Sequence, residues 1–103
     1  MIAKFLAAAV LISFSTFGLA QSAGEATFKK NCVMCHGADG TGKTKMGLKV
    51  GAADLTSNDI QSLSDEALAQ SVHNGKDKMP AFDKILAAEE ITSVIQYVRT
   101  LRK

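Results

Sequence analysis

An all-α fold of three to four helices is what this sequence predicts, on three observations. Where hydrophobic spacing is regular it steps by three and four residues, and no segment alternates as a half-buried strand does. The glycines, in turn, gather in one loop-like stretch. The chain has no internal repeat and no low-complexity tract.

Residues 1–20 read as an export segment and not as part of that fold. Lys4 precedes the apolar run FLAAAVLI and then SFSTFGLA, with small Gly18 and Ala20 three and one residues ahead of a cut after Ala20. Ser13, Ser15 and Thr16 interrupt a run already short for a membrane span, which needs roughly 20 apolar residues. The expected organisation is a signal peptide over 1–20, cleaved to leave one periplasmic domain over 21–103 with no stable membrane span.

That domain would hold 83 of the 103 residues. A core of this size supplies only about 3–5 kcal/mol, so a cross-link is expected. A disulfide between Cys32 and Cys35 would close too small a loop to serve. Without Lys4, 11 basic residues face 10 acidic ones, in no dense run, with one Tyr and no Trp. Nothing there suggests nucleic acid, and no stripe suggests a dedicated dimer, so a monomer is expected.

The first helix is expected over residues 22–34, where Gly24, Phe28 and Cys32 fall four apart on one face. Residues 37–60 hold five of the eight glycines and read as loop with at most a short helical turn. A second helix starts at Ser64, a good N-cap followed by Asp65 and Glu66, and stops at Asn74 and Gly75. In the last, over 88–103, Ile91, Val94, Ile95, Val98 and Leu101 make one apolar stripe. Glu89 and Glu90 in its first turn and Arg99, Arg102 and Lys103 in its last complement the helix dipole.

The stretch CVMCHGADGTGKT, residues 32–44, fits two motifs: C-x-x-C-H, the haem attachment signature, and G-x-x-x-x-G-K-[ST], the phosphate-cradling loop. A phosphate loop needs a buried strand before it and a helix after it. FKKNCVMC reads as helix and KMGLKVGAADL is too glycine-rich for a good one, so no nucleotide is expected despite the GADGTGKT match. A redox dithiol needs a βαβ setting that is equally missing. Zinc could nominally take Cys32, Cys35, His36 and His73, but the adjacency of Cys35 and His36 makes tetrahedral closure awkward. Haem attachment accounts for Cys32, Cys35 and His36 together and supplies the missing cross-link.

A haem held by His36 needs its other face closed, and the candidates are Met34, Met46, Met79 and His73. Met34 lies inside the motif, and Met46 lies only ten residues beyond His36. Met79 follows after a helix has intervened, in GKDKMPAF, where Pro80 biases it towards an extended, stiff loop. It is the favoured ligand; His73, at a helix C-terminus, is its rival.

With these residues in hand, 21–103 resembles the class I c-type cytochromes, especially small monohaem carriers. CVMCH is similar to the family's haem motif, implying one haem c on Cys32 and Cys35 with iron bound by His36, and GKDKMPAF is similar to its methionine loop, implying Met79 as sixth ligand. The resemblance further implies a compact fold wrapped around the haem, in which the N- and C-terminal helices cross, Gly24 and Phe28 lying near Val94, Tyr97 and Val98. Many relatives carry a proline after the histidine, its neighbouring carbonyl orienting the imidazole; this chain has none, which leaves the acceptor for His36 unassigned. Relatives also often start the last helix with Ser or Thr, whereas Ala87 and Ala88 stand here, an N-cap weaker by about 1 kcal/mol.

The implied function is a one-electron carrier, not an enzyme, steered to acidic redox partner proteins of a respiratory chain by Lys43, Lys45, Lys49, Lys76 and Lys78. Two alternatives stay open: a haem-based ligand sensor or weak peroxidase with a labile Met79, and a cytochrome subunit of a larger oxidase or dehydrogenase complex. An apolar pocket between His36 and Met79 is expected as the haem's place.

Overall fold

The computed structural model describes residues 16–103. Six helices follow one another: α1 (Thr16–Asn31), α2 (Val33–His36), α3 (Lys45–Val50), α4 (Asn58–Gln61), α5 (Asp65–Asn74) and α6 (Ala88–Arg99). Only α1, α5 and α6 exceed two turns; the others punctuate the glycine-rich stretch and the chain just before it. Among the described residues there is no strand, only an isolated antiparallel bridge between Lys76 and Met79. The first fifteen residues of the expected signal peptide lie outside the described part, and residues 16–20 begin α1.

Helix α1 differs from expectation at both ends. Nothing between Thr16 and Ser22 stops a helix: there is no proline, and the Ser22 hydroxyl bonds back to the Gly18 carbonyl from within the ladder (3.1 Å). At Cys32 the ladder tightens, because the N–H groups of both Cys35 and His36 reach the Cys32 carbonyl (3.3 and 2.9 Å). The chain restarts there as the single turn α2, which Gly37 closes at φ 82°.

The two long terminal helices pack closest where the sequence places its glycine. A Cβ on Gly24 would run into the Ser93 carbonyl and come within 3.0 Å of Tyr97 Cβ. One turn on, Phe28 is 1% exposed and stacks at a tilt against Tyr97, ring centroids 5.2 Å apart. Phe28, Leu68, Val94, Ile95 and Val98 form the buried core, and Leu101 packs against it. The apolar stripe of α6 is therefore the stripe that is buried.

Capping follows the sequence closely at α5. Ser64 Oγ accepts the Ala67 N–H (3.1 Å), and the Gly75 N–H closes the far end on the Ser71 carbonyl (2.9 Å). At α6 the N-cap is Ala87, which offers no acceptor; only the Glu90 half of a capping box exists, its Oε1 accepting the Ala87 N–H (3.0 Å).

Arg99 does more than complement a dipole. Its guanidinium donates to Asp65 Oδ1 (2.9 and 2.8 Å) and to the carbonyls of Gln61 (2.9 Å) and Leu63 (2.6 Å), tying the α4–α5 junction to α6. Buried Gln61 braces the same junction, its Nε2 donating to the Leu55 (2.7 Å) and Val98 (3.0 Å) carbonyls.

Candidate cofactor site

Cys32, Cys35 and His36 are brought together by one turn of chain, α2 and its cap. Both thiols are free and half-buried. Burial, with a smaller contribution from neighbouring Cys35, pushes the Cys32 thiol up to about 11, so it stays protonated at neutral pH. The half-buried His36 places Nδ1 3.0 Å from the Ala53 carbonyl oxygen. A carbonyl only accepts, so the proton sits on Nδ1 and the Nε2 lone pair is left for a metal. The acceptor that the sequence left unassigned is therefore a backbone oxygen 17 residues along the chain.

In the fold, the GADGTGKT stretch is bonded to the attachment turn. The Gly42 N–H donates to the His36 carbonyl (2.7 Å) and the Gly37 N–H to that of Val33 (2.9 Å). The Thr44 hydroxyl lies 2.8 and 2.9 Å from the carbonyls of Met34 and Cys35, and accepts the Gly47 N–H (2.8 Å) as the N-cap of α3. Buried Gly47 lies against the Cys35 carbonyl so closely that a Cβ would strike it. The glycines at positive φ, Gly37, Gly40 and Gly42, thus fold donors back onto the end of the attachment turn.

Met79 is carried by a separate turn. Its N–H donates to the Lys76 carbonyl (2.8 Å) and its carbonyl accepts the Lys76 N–H (3.1 Å). Asp77 takes the left-handed conformation (φ 52°), and Gly75, at φ 77°, has no room for a Cβ beside the Met79 carbonyl and Ala81 N. The Phe82 N–H then anchors the segment to the Val72 carbonyl on α5 (2.9 Å). Pro80 is one brace among several, and the Gly75 and Asp77 contributions were missed from the sequence. Met79 is half-buried, whereas Met34 is 74% and Met46 39% exposed. His73 is exposed, its Nδ1 2.7 Å from Asn74 Oδ1.

Among the described residues, one open concavity of about 400 Å³ lies against Met34 and α3, and another of about 230 Å³ lies between α1 and the turn before α6. Neither is lined by His36 or Met79, so the expected pocket between them is not one of these.

The donor set fits haem: two free thiols three residues apart for thioethers, and an adjacent imidazole with its second nitrogen already engaged. An all-helical chain with that turn on one side of its crossed terminal helices defines a class I c-type cytochrome. The family profile described as "Cytochrome C oxidase, cbb3-type, subunit III" matches residues 20–98, and the chain belongs to this family of c-type cytochromes, electron carriers with covalently bound haem c.

It is similar to cytochrome c6 of Rippkaea orientalis, 39% identical over 77 residues that cover 75% of this chain and 67% of that protein. It is equally similar to cytochrome c6 of Gracilaria tenuistipitata var. liui, at 39% over 83 residues, 81% of this chain and 74% of that one. The cbb3-type cytochrome c oxidase subunit CcoP of Azospirillum brasilense is 35% identical over 84% of this chain, which spans only 30% of that subunit. Among solved structures, the KustC0563 c-type cytochrome superposes with a TM-score of 0.72 at 29% identity, over 78% of this chain and 98% of that one. Among the described residues, no helix is long and apolar enough to cross a membrane.

Proposed function

We propose that the protein is an exported, periplasmic one-electron shuttle whose haem c is held by thioethers from Cys32 and Cys35, with His36 and Met79 as axial ligands. The observation that carries this reading is the His36–Ala53 contact, which turns one imidazole nitrogen to the protein and leaves the other for iron. Bound haem supplies the ferric–ferrous couple. The chain's part is to keep both ligands still: His36 through Ala53 and the capped α2, Met79 through the turn closed on Lys76. A soft thioether on that turn favours ferrous iron, so the potential is high compared with a bis-histidine site. With both axial positions filled by side chains, the protein is a carrier and not an enzyme. Acidic redox partners are drawn to its lysines, with Lys43, Lys45, Lys49, Lys76 and Lys78 as candidate contacts.

The test is the far-red absorption of the ferric holoprotein, where methionine sulfur on iron gives a weak band. A band that vanishes in Met79→Ala supports this ligand set. A wild type without it, and with rapid cyanide binding at neutral pH, points to an open-site sensor or peroxidase instead.

The similarity to the CcoP subunit favours a second reading, a subunit resident in an oxidase complex. Co-purification with an oxidase in fixed stoichiometry supports it over the free shuttle.

A further inference from the structure

Gln61 is 4% exposed, and burial leaves its amide to be satisfied by the protein. Its one nitrogen donates both to the Leu55 carbonyl ahead of α4 (2.7 Å) and to the Val98 carbonyl near the end of α6 (3.0 Å). Those two bonds fix which end of the amide is nitrogen, and Oε1 finds no donor among the described residues. The Val98 carbonyl already accepts the Leu101 N–H (3.0 Å), so α6 does not need Gln61 to close its last turn. The bond that no other described residue replaces is the one to Leu55.

Leu55 belongs to the segment that orients His36. From 53 to 56, four successive carbonyls are engaged. That of Ala53 faces His36 Nδ1 (3.0 Å), and that of Asp54 accepts the Ser57 hydroxyl and N–H (2.7 and 3.2 Å). The Leu55 carbonyl takes Gln61, and the Thr56 carbonyl takes the Lys103 N–H at the longest distance of the set (3.4 Å). The Asp54 bonds close a turn inside the segment and anchor it to nothing else. On its other side, the Leu55 N–H donates to the Gly40 carbonyl (2.7 Å), in the loop bonded to the attachment turn. Leu55 is thus held between that loop and, through Gln61, helix α6, with only Asp54 separating it from Ala53. Gln61 is itself fixed from the same helix and the residues after it, since its carbonyl accepts the guanidinium groups of Arg99 (2.9 Å) and Arg102 (3.3 Å).

We infer that Gln61 is a positioning residue for the His36 imidazole: its amide pins Leu55 to α6, which fixes the Ala53 carbonyl and so the bond that this carbonyl accepts from His36. The inference rests on the reading of His36 as an axial ligand. A firm bond at Nδ1 makes the imidazole a stronger donor through Nε2, and a stronger donor favours ferric iron. Cutting the bridge between Leu55 and α6 weakens that donation and makes the potential more positive.

The test measures two properties of the holoprotein: its midpoint potential, and the exchange of the His36 Nδ1 proton with solvent, followed by NMR in the ferrous state. Gln61→Met keeps the side-chain volume and removes both donors. It is expected to raise the potential and to speed the exchange about tenfold. Gly24→Ala, a destabilising change at the α1–α6 crossing, is expected to leave both at wild-type values, which separates loss of the bridge from loss of stability. Gln61→Asn draws the nitrogen back by the length of one C–C bond, so that it no longer spans both carbonyls. It should move both readings in the same direction, and it carries the comparison if the methionine variant does not fold. A folded Gln61 variant with wild-type potential and exchange overturns the inference. So does Gly24→Ala moving both as far as Gln61→Met, because general loosening would then be responsible. Wild-type His36 resonances without the haem-induced shift of an axial ligand sink the ligand reading. In that case, exchange that still quickens in Gln61→Met keeps the bridge, and exchange that does not sinks it as well.

Discussion

His36 Nδ1 and the Ala53 carbonyl oxygen lie 3.0 Å apart, and this contact sets the histidine's tautomer and orientation from the backbone. No substitution at position 53 deletes a carbonyl, but Gly42 stands next to it: a Cβ there would meet the Ala52 oxygen at 2.6 Å and the Ala53 oxygen at 3.1 Å, at φ +75°. Gly42→Ala is therefore expected to cost about 1–3 kcal/mol and to move the imidazole resonances in the NMR spectrum. Ala53→Pro keeps the carbonyl, and the Ala53 N–H donates none of the described backbone bonds. It should leave the resonances in place, because the acceptor is retained.

Gly24 sets the approach of α1 to α6. Because a side chain there would strike the Ser93 backbone, which cannot swing aside as a side-chain tip can, the helices must separate over Phe28 and Tyr97. Gly24→Ala should lower the denaturation free energy by about 1–3 kcal/mol or more, with an unchanged haem spectrum. A loss below about 0.5 kcal/mol in a urea titration would mean that the crossing is looser than described.

Thr44 is the side chain that joins the attachment turn to α3. Thr44→Val removes both its donation to the Met34 and Cys35 carbonyls and its cap on the Gly47 N–H, whereas Thr44→Ser keeps them. The valine variant should lose about 1–2 kcal/mol and exchange its Gly47 amide faster, and the serine variant should do neither to a comparable degree.

These contacts also explain what the sequence could and could not convey. Ser64, Gly75 and the α6 stripe were legible because capping and periodicity are local, each signalled by residue types within a few positions. The CVMCH motif was legible for the same reason. The acceptor for His36 was not, because any residue has a carbonyl and alanine carries no mark of the role. Nor was Gln61, which in sequence looks like a surface residue and in the fold is buried with its amide bridging the Leu55 carbonyl ahead of α4 and the Val98 carbonyl of α6. GADGTGKT matched a phosphate loop because both structures need glycines at positive φ to converge N–H donors on oxygen. The pattern specifies the donors; only the fold decides whether the oxygens belong to a phosphate or to the end of a helix.

Acid stability should report on the loop that supplies Ala53. The Thr56 hydroxyl (2.6 Å) and then the Thr56 N–H (2.9 Å) hold the Asp54 carboxyl below its usual range, and the Thr41 N–H and hydroxyl do the same for Asp39. A carboxylate whose folded pKa is depressed binds fewer protons in the native state than in the unfolded one. Its stabilisation is present above the unfolded value, near pH 4, and is lost as pH falls through the lower folded value. Asp54→Asn removes that proton linkage while keeping an acceptor for the Thr56 donors. The variant should be less stable than wild type at pH 7, and the gap should narrow as the pH is lowered below about 4. Denaturant midpoints measured at pH 7, 5, 4 and 3 would show the convergence. A gap that stays constant across that range would mean that the Asp54 carboxylate is no better held in the folded chain than in the unfolded one.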